Sequence, residues 1–136
     1  MDATESVRSF IRAWNIDSDE ERLELLCDCC DPQGVFVSPQ GVVIGVEPFS
    51  AAIGAFRRAF PAAEVVLGEP DTHNGYARFR WRTNWNDGRE ALYGDDFVEL
   101  SRDGLIVKVV SFDGAPSEAQ TSSGMKRGKR PTTPTL

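Results

Sequence analysis

The sequence predicts an α+β domain, with helices gathered ahead of an antiparallel sheet whose strands follow one another through hairpins. Up to Phe60 the long apolar stripes repeat at helical spacing, and Pro61 ends the last of them. From Ala63 to Phe112 the residues alternate in runs as strands do, about four of them long. Between those runs stand His73-Asn74-Gly75, Asn86-Asp87-Gly88 and Asp103-Gly104, the glycine-containing groups that tight hairpins prefer.

The first helix is read over residues 4–15, where Val7, Phe10, Ile11 and Trp14 share one face. Asn15-Ile16-Asp17 breaks it. Ser18 with Glu21 forms a capping box for a second helix running to about Cys30, and Asp31-Pro32-Gln33-Gly34 is read as the turn that ends it. Val35-Phe36-Val37 and Val42-Val43-Ile44 are two short strands joined through Ser38-Pro39-Gln40-Gly41. Gly45-Val46-Glu47-Pro48 starts a third helix, whose Phe49, Ile53, Phe56 and Phe60 make a continuous stripe. Strands then follow over Ala63 to Gly68, Tyr76 to Trp85, Ala91 to Leu100 and Leu105 to Phe112. Residues 1–115 form the domain. Residues 116–136, rich in Ser, Thr, Pro and Gly around a basic cluster at Lys126 to Arg130, are expected to be a disordered tail.

A chain of 136 residues, 40% hydrophobic and 26% charged, can bury a real core. Its net charge of −6 lacks the basic footprint of a nucleic-acid binder. No apolar run reaches a membrane span, and the acidic N-terminus has no signal-peptide pattern, so a cytoplasmic protein is expected. Cys27, Cys29 and Cys30 crowd together without distant partners, and the single histidine is His73. Cys27 and Cys30 are read as small hydrophobes on the buried face of the second helix, and neither metal nor cofactor is assigned.

This order of elements resembles the nuclear transport factor 2-like superfamily, within its SnoaL-like branch, over roughly residues 5–114. The resemblance rests on Phe10 to Trp14 with Asp31-Pro32-Gln33-Gly34-Val35-Phe36, on Gly45 with the helix Phe49 to Phe60, and on Phe79-Arg80-Trp81 with Asp95-Asp96-Phe97 and Gly104-Leu105-Ile106. It implies a cystatin-like, ketosteroid-isomerase-like architecture: a conical, strongly curved sheet with a short hairpin, closed by three N-terminal helices, its concave face holding a ligand. The superfamily hosts isomerases, cyclases, epoxide hydrolases, dehydratases and binding proteins, so it tells where to look and not what happens there.

Alternation sorts the strand residues into faces. Phe79, Trp81, Thr83 and Trp85 point one way and suit the concave side. Tyr76, Arg78, Arg80, Arg82 and Asn84 point the other way, toward solvent or a dimer contact. On the next strand Tyr93, Asp95, Phe97 and Glu99 share a face, expected to be concave because it sets an aromatic on either side of Asp95. Both faces of the last strand are apolar, which leaves Ser111 and Asp113 unassigned by pattern, although Ser111 is placed among the lining residues. Phe10, Trp14, Phe36, Ser38, Phe56 and Phe60 close the pocket from the helical side and suit a flat, apolar ligand. For any single ring, plain packing is the competing explanation.

Three chemistries of the superfamily can be tried on these residues. The ketosteroid isomerase set, which works through carboxyl groups of tuned proton affinity, needs a base before a proline, and that position holds Ser38. Its tyrosine position holds Phe10, and only its protonated aspartic acid survives, at Asp95. The epoxide hydrolase set finds Arg82 and Asn84 without the partner carboxylate. A SnoaL-type cyclase needs one pocket acid or base, for which Asp95 is the first candidate and Asp113 the second, each against a structural alternative. His73 is read as a turn residue. Three outcomes stay open: an aromatic-lined pocket for a small apolar ligand; acid–base isomerisation, cyclisation or dehydration of a small carbonyl compound through Asp95; and a non-catalytic dimeric module. A homodimer through the convex face is expected in each.

Overall fold

The computed structural model describes residues 2–85 and 89–114. The expected turn at Asn86-Asp87-Gly88 and the tail over residues 116–136 lie outside that set. Helix α1 (Ala3–Ala13) is started by a complete capping box, in which the Asp2 carboxylate accepts from the Glu5 N–H and the Glu5 carboxylate from the Asp2 N–H. Helix α2 (Asp19–Cys29) is capped by Ser18, whose hydroxyl accepts from the Glu21 N–H at 3.2 Å. Strands β1 (Cys30–Ser38) and β2 (Gly41–Ile44) precede helix α3 (Val46–Ala59). The chain then runs through β3 (Glu64–Leu67), β4 (Asp71–His73), β5 (Tyr76–Asn84), β6 (Tyr93–Leu100) and β7 (Ile106–Asp113).

The strands form one curved, open sheet in the order β2-β1-β7-β6-β5-β3, with β4 also paired to β5. The hairpins β5–β6 and β6–β7 are antiparallel as expected, but β1 lies parallel to β7, so the sheet is mixed. That pairing spans the length of the chain, and no turn between neighbouring strands encodes it. The structure also revises the segment Asp31–Gly34. It is no turn after a helix but an irregularity inside β1, where the register against β7 shifts between Cys30 and Val35. Pro32 has no N–H to give a ladder, which confines it to such a break. The strand expected over residues 63–68 is followed after a break by β4, and β5 carries both along one edge. His73 is the last residue of β4, paired with Tyr76, while the turn is made by Asn74 and Gly75 at φ 49° and 83°.

Side-chain hydrogen bonds tie the helices to one another, to their connecting loops and to β3. Arg22 of α2 is fully buried, and its guanidinium donates to the carbonyls of Ser50 and Ile16 and to Asp19. Gly54 of α3 makes room for it, because a Cβ there would stand 2.6 Å from Arg22 Nη2. Arg57 reaches Asp17 at 2.8 Å and the Ala63 carbonyl at 2.6 Å. The Asn15 amide both donates to and accepts from the Val65 backbone, at 2.8 and 2.7 Å, which occupies the free side of β3.

The cysteine placement differs from expectation at two positions. Buried Arg22, Leu26 and Cys29 define the inner face of α2, so Cys27 falls on the exposed side. Cys30 opens β1 instead and is buried against Cys29. The adjoining Cys29 thiol and burial hold the Cys30 thiol far above its ordinary range, which leaves it a small hydrophobe. Among the described residues no helix is long and apolar enough to cross a membrane.

Candidate active site

The inner face of the sheet is set by β5, and here the observed faces match the alternation. Ala77, Phe79 and Thr83 are buried and Trp81 is half-buried, while Tyr76, Arg78, Arg80 and Arg82 are exposed. β6 runs in the opposite phase to the expected one. Gly94, Asp96, Val98 and Leu100 face inward, and Tyr93, Asp95, Phe97 and Glu99 face out. The reason lies along the whole strand: turning Asp95 inward would bury Glu99 as well, whereas the observed phase buries Val98 and Leu100. Glu99 is the signal in the sequence that points to this phase. Asp95 therefore leaves the concave site. It stands opposite Arg80 and accepts from its guanidinium at 3.1 Å on the outer face, with Tyr93 and Phe97 exposed beside it.

The acid on the inner face is Asp96, only 4% exposed. Trp81 Nε1 donates to its Oδ1 at 3.0 Å, and the Ser111 hydroxyl donates to the same oxygen at 2.6 Å. Among the described residues no hydrogen bond reaches Oδ2. Both donors are neutral, so neither supplies a counter-charge. Burial pushes the carboxyl up to about 6; the Ser111 and Trp81 hydrogen bonds pull against that rise, and the nearby charges of Asp113 and Asp95 add to it. A group titrating there can hold or release a proton near neutral pH.

Strand β7 settles the face that pattern left open. Ser111 is paired with Asp96 and Val109 with Val98, so Val109, Ser111 and Asp113 belong to the inner set. Asp113 is exposed at the strand's end, opposite Gly94. Its place is near Asp96 but in solvent.

The aromatic residues expected around a pocket divide in two. Phe10 and Phe36 are buried and lie parallel to Phe49, with Phe36 and Phe49 only 3.9 Å apart between centroids. These rings pack as core, beside buried Phe79. Trp14 contacts Phe49 and Phe56 edge-on, and the chain of rings continues through Phe60, which is 38% exposed, to Trp85. The Arg89 guanidinium lies over the Trp85 ring at 4.5 Å, while Trp85 Nε1 is buried without a hydrogen-bond partner among the described residues. Thr83 is buried and bonded to Leu92, and Ser38 is tied into its own turn with Gln40. Arg82 sits on the outer face and bonds to Asn84, which in turn reaches Glu64, away from Asp96. A groove of about 310 Å³ lies against the outer face, lined by Asp71, His73, Tyr76, Arg78 and Phe97 together with Ala77 and Val98.

Comparison with known proteins places this architecture. The profile of the SnoaL-like domain matches residues 7–109. A protein from Agrobacterium tumefaciens described as a candidate isomerase of the SnoaL-like family is 32% identical, with a TM-score of 0.76 over 83% of this chain and 97% of its own. A candidate SnoaL-like polyketide cyclase from Jannaschia is 14% identical, with a TM-score of 0.64 over 91% of this chain and 95% of its own. A de novo designed protein with a curved sheet is as close in shape, at a TM-score of 0.63 and 14% identity over 85% of this chain and 87% of its own. Shape at that level carries fold alone. No curated protein matches the sequence significantly.

Proposed function

The chain belongs to the SnoaL-like domain family, and we propose that it carries out acid–base chemistry on a small, flat, apolar carbonyl compound through Asp96. The observation behind this reading is the Asp96 carboxyl itself, buried on the inner face and held by two neutral donors. In the ionised state it accepts a proton from the carbon beside a carbonyl; returning that proton to another carbon completes an isomerisation without oxidant or reductant. Trp14, Phe56, Phe60 and Trp85 offer the flat apolar faces such a compound would stack on. The relative from Agrobacterium described as a candidate isomerase supports the same class.

Binding without chemistry is the second reading. It is favoured by Ser38 and Phe10, which stand where the ketosteroid isomerase set would need its base and its tyrosine. One substitution separates the two. With a substrate identified by native mass spectrometry of the purified protein, Asp96→Asn should lose roughly 10²- to 10⁴-fold in turnover while ligand affinity survives. Full turnover in that variant would leave binding alone.

We also propose a homodimer through the outer face. Tyr76, Phe97 and Phe112 are exposed there, alongside Val42 and Ile44 of the β1–β2 edge, and a second copy would take them out of water. Phe97→Asp should halve the mass seen by analytical ultracentrifugation; a wild-type monomer would refute the dimer.

A further inference from the structure

We propose that Trp81 is a positioning residue for Asp96: laid across Gly94, its indole fixes which carboxyl oxygen remains to carry the proton. The inference rests on the reading of Asp96 as the group that exchanges protons.

Trp81 and Gly94 are direct partners across β5 and β6. A Cβ at Gly94 would lie 2.5 Å from Trp81 Cζ2 and 2.2 Å from the Phe112 carbonyl oxygen. No larger residue fits while the ring lies there and β7 stays this close. Glycine thus gives the indole a flat bed over β6, and from it Nε1 reaches two pairs along the ladder to Asp96 Oδ1. Ser111 arrives at the same oxygen from β7 on the other flank.

The two donors are not equivalent. A hydroxyl both donates and accepts, so Ser111 could turn and accept a hydrogen bond from a proton carried on Oδ1. An indole N–H only donates. While it points at Oδ1, a proton on that oxygen would leave the indole a hydroxyl oxygen, a poorer acceptor than a carbonyl oxygen, so the proton is directed to Oδ2. Removing the indole N–H frees Ser111 to serve either arrangement. The preference between the two oxygens then disappears.

The charged groups acting on this carboxyl are Asp113 of β7 and Asp95 of its own strand. From β5 the inward neighbours are Phe79, Trp81 and Thr83, all neutral, and Arg80 is committed to Asp95 on the other face. No cation on those strands competes with Trp81 and Ser111 for Asp96.

The experiment uses the ligand-free full-length protein and needs no substrate. Asp96 is followed by carbon-13 carboxyl NMR during a pH titration in wild type, Trp81→Phe and Ser111→Ala, with Asp96→Asn assigning the resonance. Trp81→Phe keeps a ring on Gly94 but removes the donor, so the proton affinity of Asp96 should rise about tenfold. Isotope-edited infrared spectra below the midpoint report the carbonyl oxygen of the protonated acid. Its band should move to higher frequency in Trp81→Phe, because the carbonyl is then either Oδ1 without the indole donor or Oδ2, which no hydrogen bond reaches among the described residues. An unmoved titration and an unmoved band in folded Trp81→Phe would overturn the assignment and leave Trp81 a packing residue. Unchanged turnover in Asp96→Asn bears on the catalytic reading alone, since both spectroscopic results stand without it.

Discussion

Two neighbouring residues of one strand meet opposite surroundings. Asp95, on the outer face, pairs with an exposed arginine, and its side chain keeps 36% of its surface in water. Asp96, on the inner face, is buried at 4% exposure among a phenylalanine, a tryptophan and a serine. The first arrangement is what a sheet surface does with opposite charges across two strands. The second places a carboxyl where its charged form is disfavoured, and a protein gains no stability from doing so. The contrast separates a carboxyl whose burial suits the proposed proton exchange from one whose charge is balanced across two strands.

The comparison should break most clearly in stability against pH. Asp96 has its folded-state pKa raised to about 6 from an ordinary 3.8, so the folded state binds the proton more tightly than the unfolded chain. Stability from this group is therefore greatest below the unfolded value and is lost as pH rises through about 6. Asp96→Asn removes the titration but keeps a carbonyl for the two donors. In chemical denaturation at pH 7 to 8 the variant should be more stable by up to about 3 kcal/mol, with the advantage fading below about pH 4. A variant less stable at every pH would mean that the buried charge is not the dominant cost.

The smaller effect belongs to the outer face. Arg80→Ala should change stability by less than about 1 kcal/mol, and less again at high salt, because an exposed ion pair is well screened. Denaturant midpoints at low and high salt measure this directly. A loss of several kcal/mol would show that the outer face is not the forgiving surface its exposure suggests.

Much of this contrast is legible in the residues, and the part that is not has a physical cause. On β5 the arginines at alternate positions can only face water, so Phe79, Trp81 and Thr83 have to face inward. On β6 apolar and charged residues occur in both phases, so local pattern carries little preference. The aromatic neighbours Tyr93 and Phe97 point to Asp95, while the more telling residue is Glu99. The aromatic residues are plain in the sequence, but not which of them pack as core and which continue toward the rim. Phe10 and Phe36 become core only because α3 brings Phe49 face to face with both.

By itself, then, the chain determined its helices, its hairpin strands and the face of β5, because these follow from short-range periodicity, caps and turn residues. Tertiary structure alone decided the parallel pairing of β1 with β7, the phase of β6 and the meeting of Trp81, Ser111 and Asp96 from three strands. Those depend on register between strands, where a shift of one residue turns every side chain to the other face.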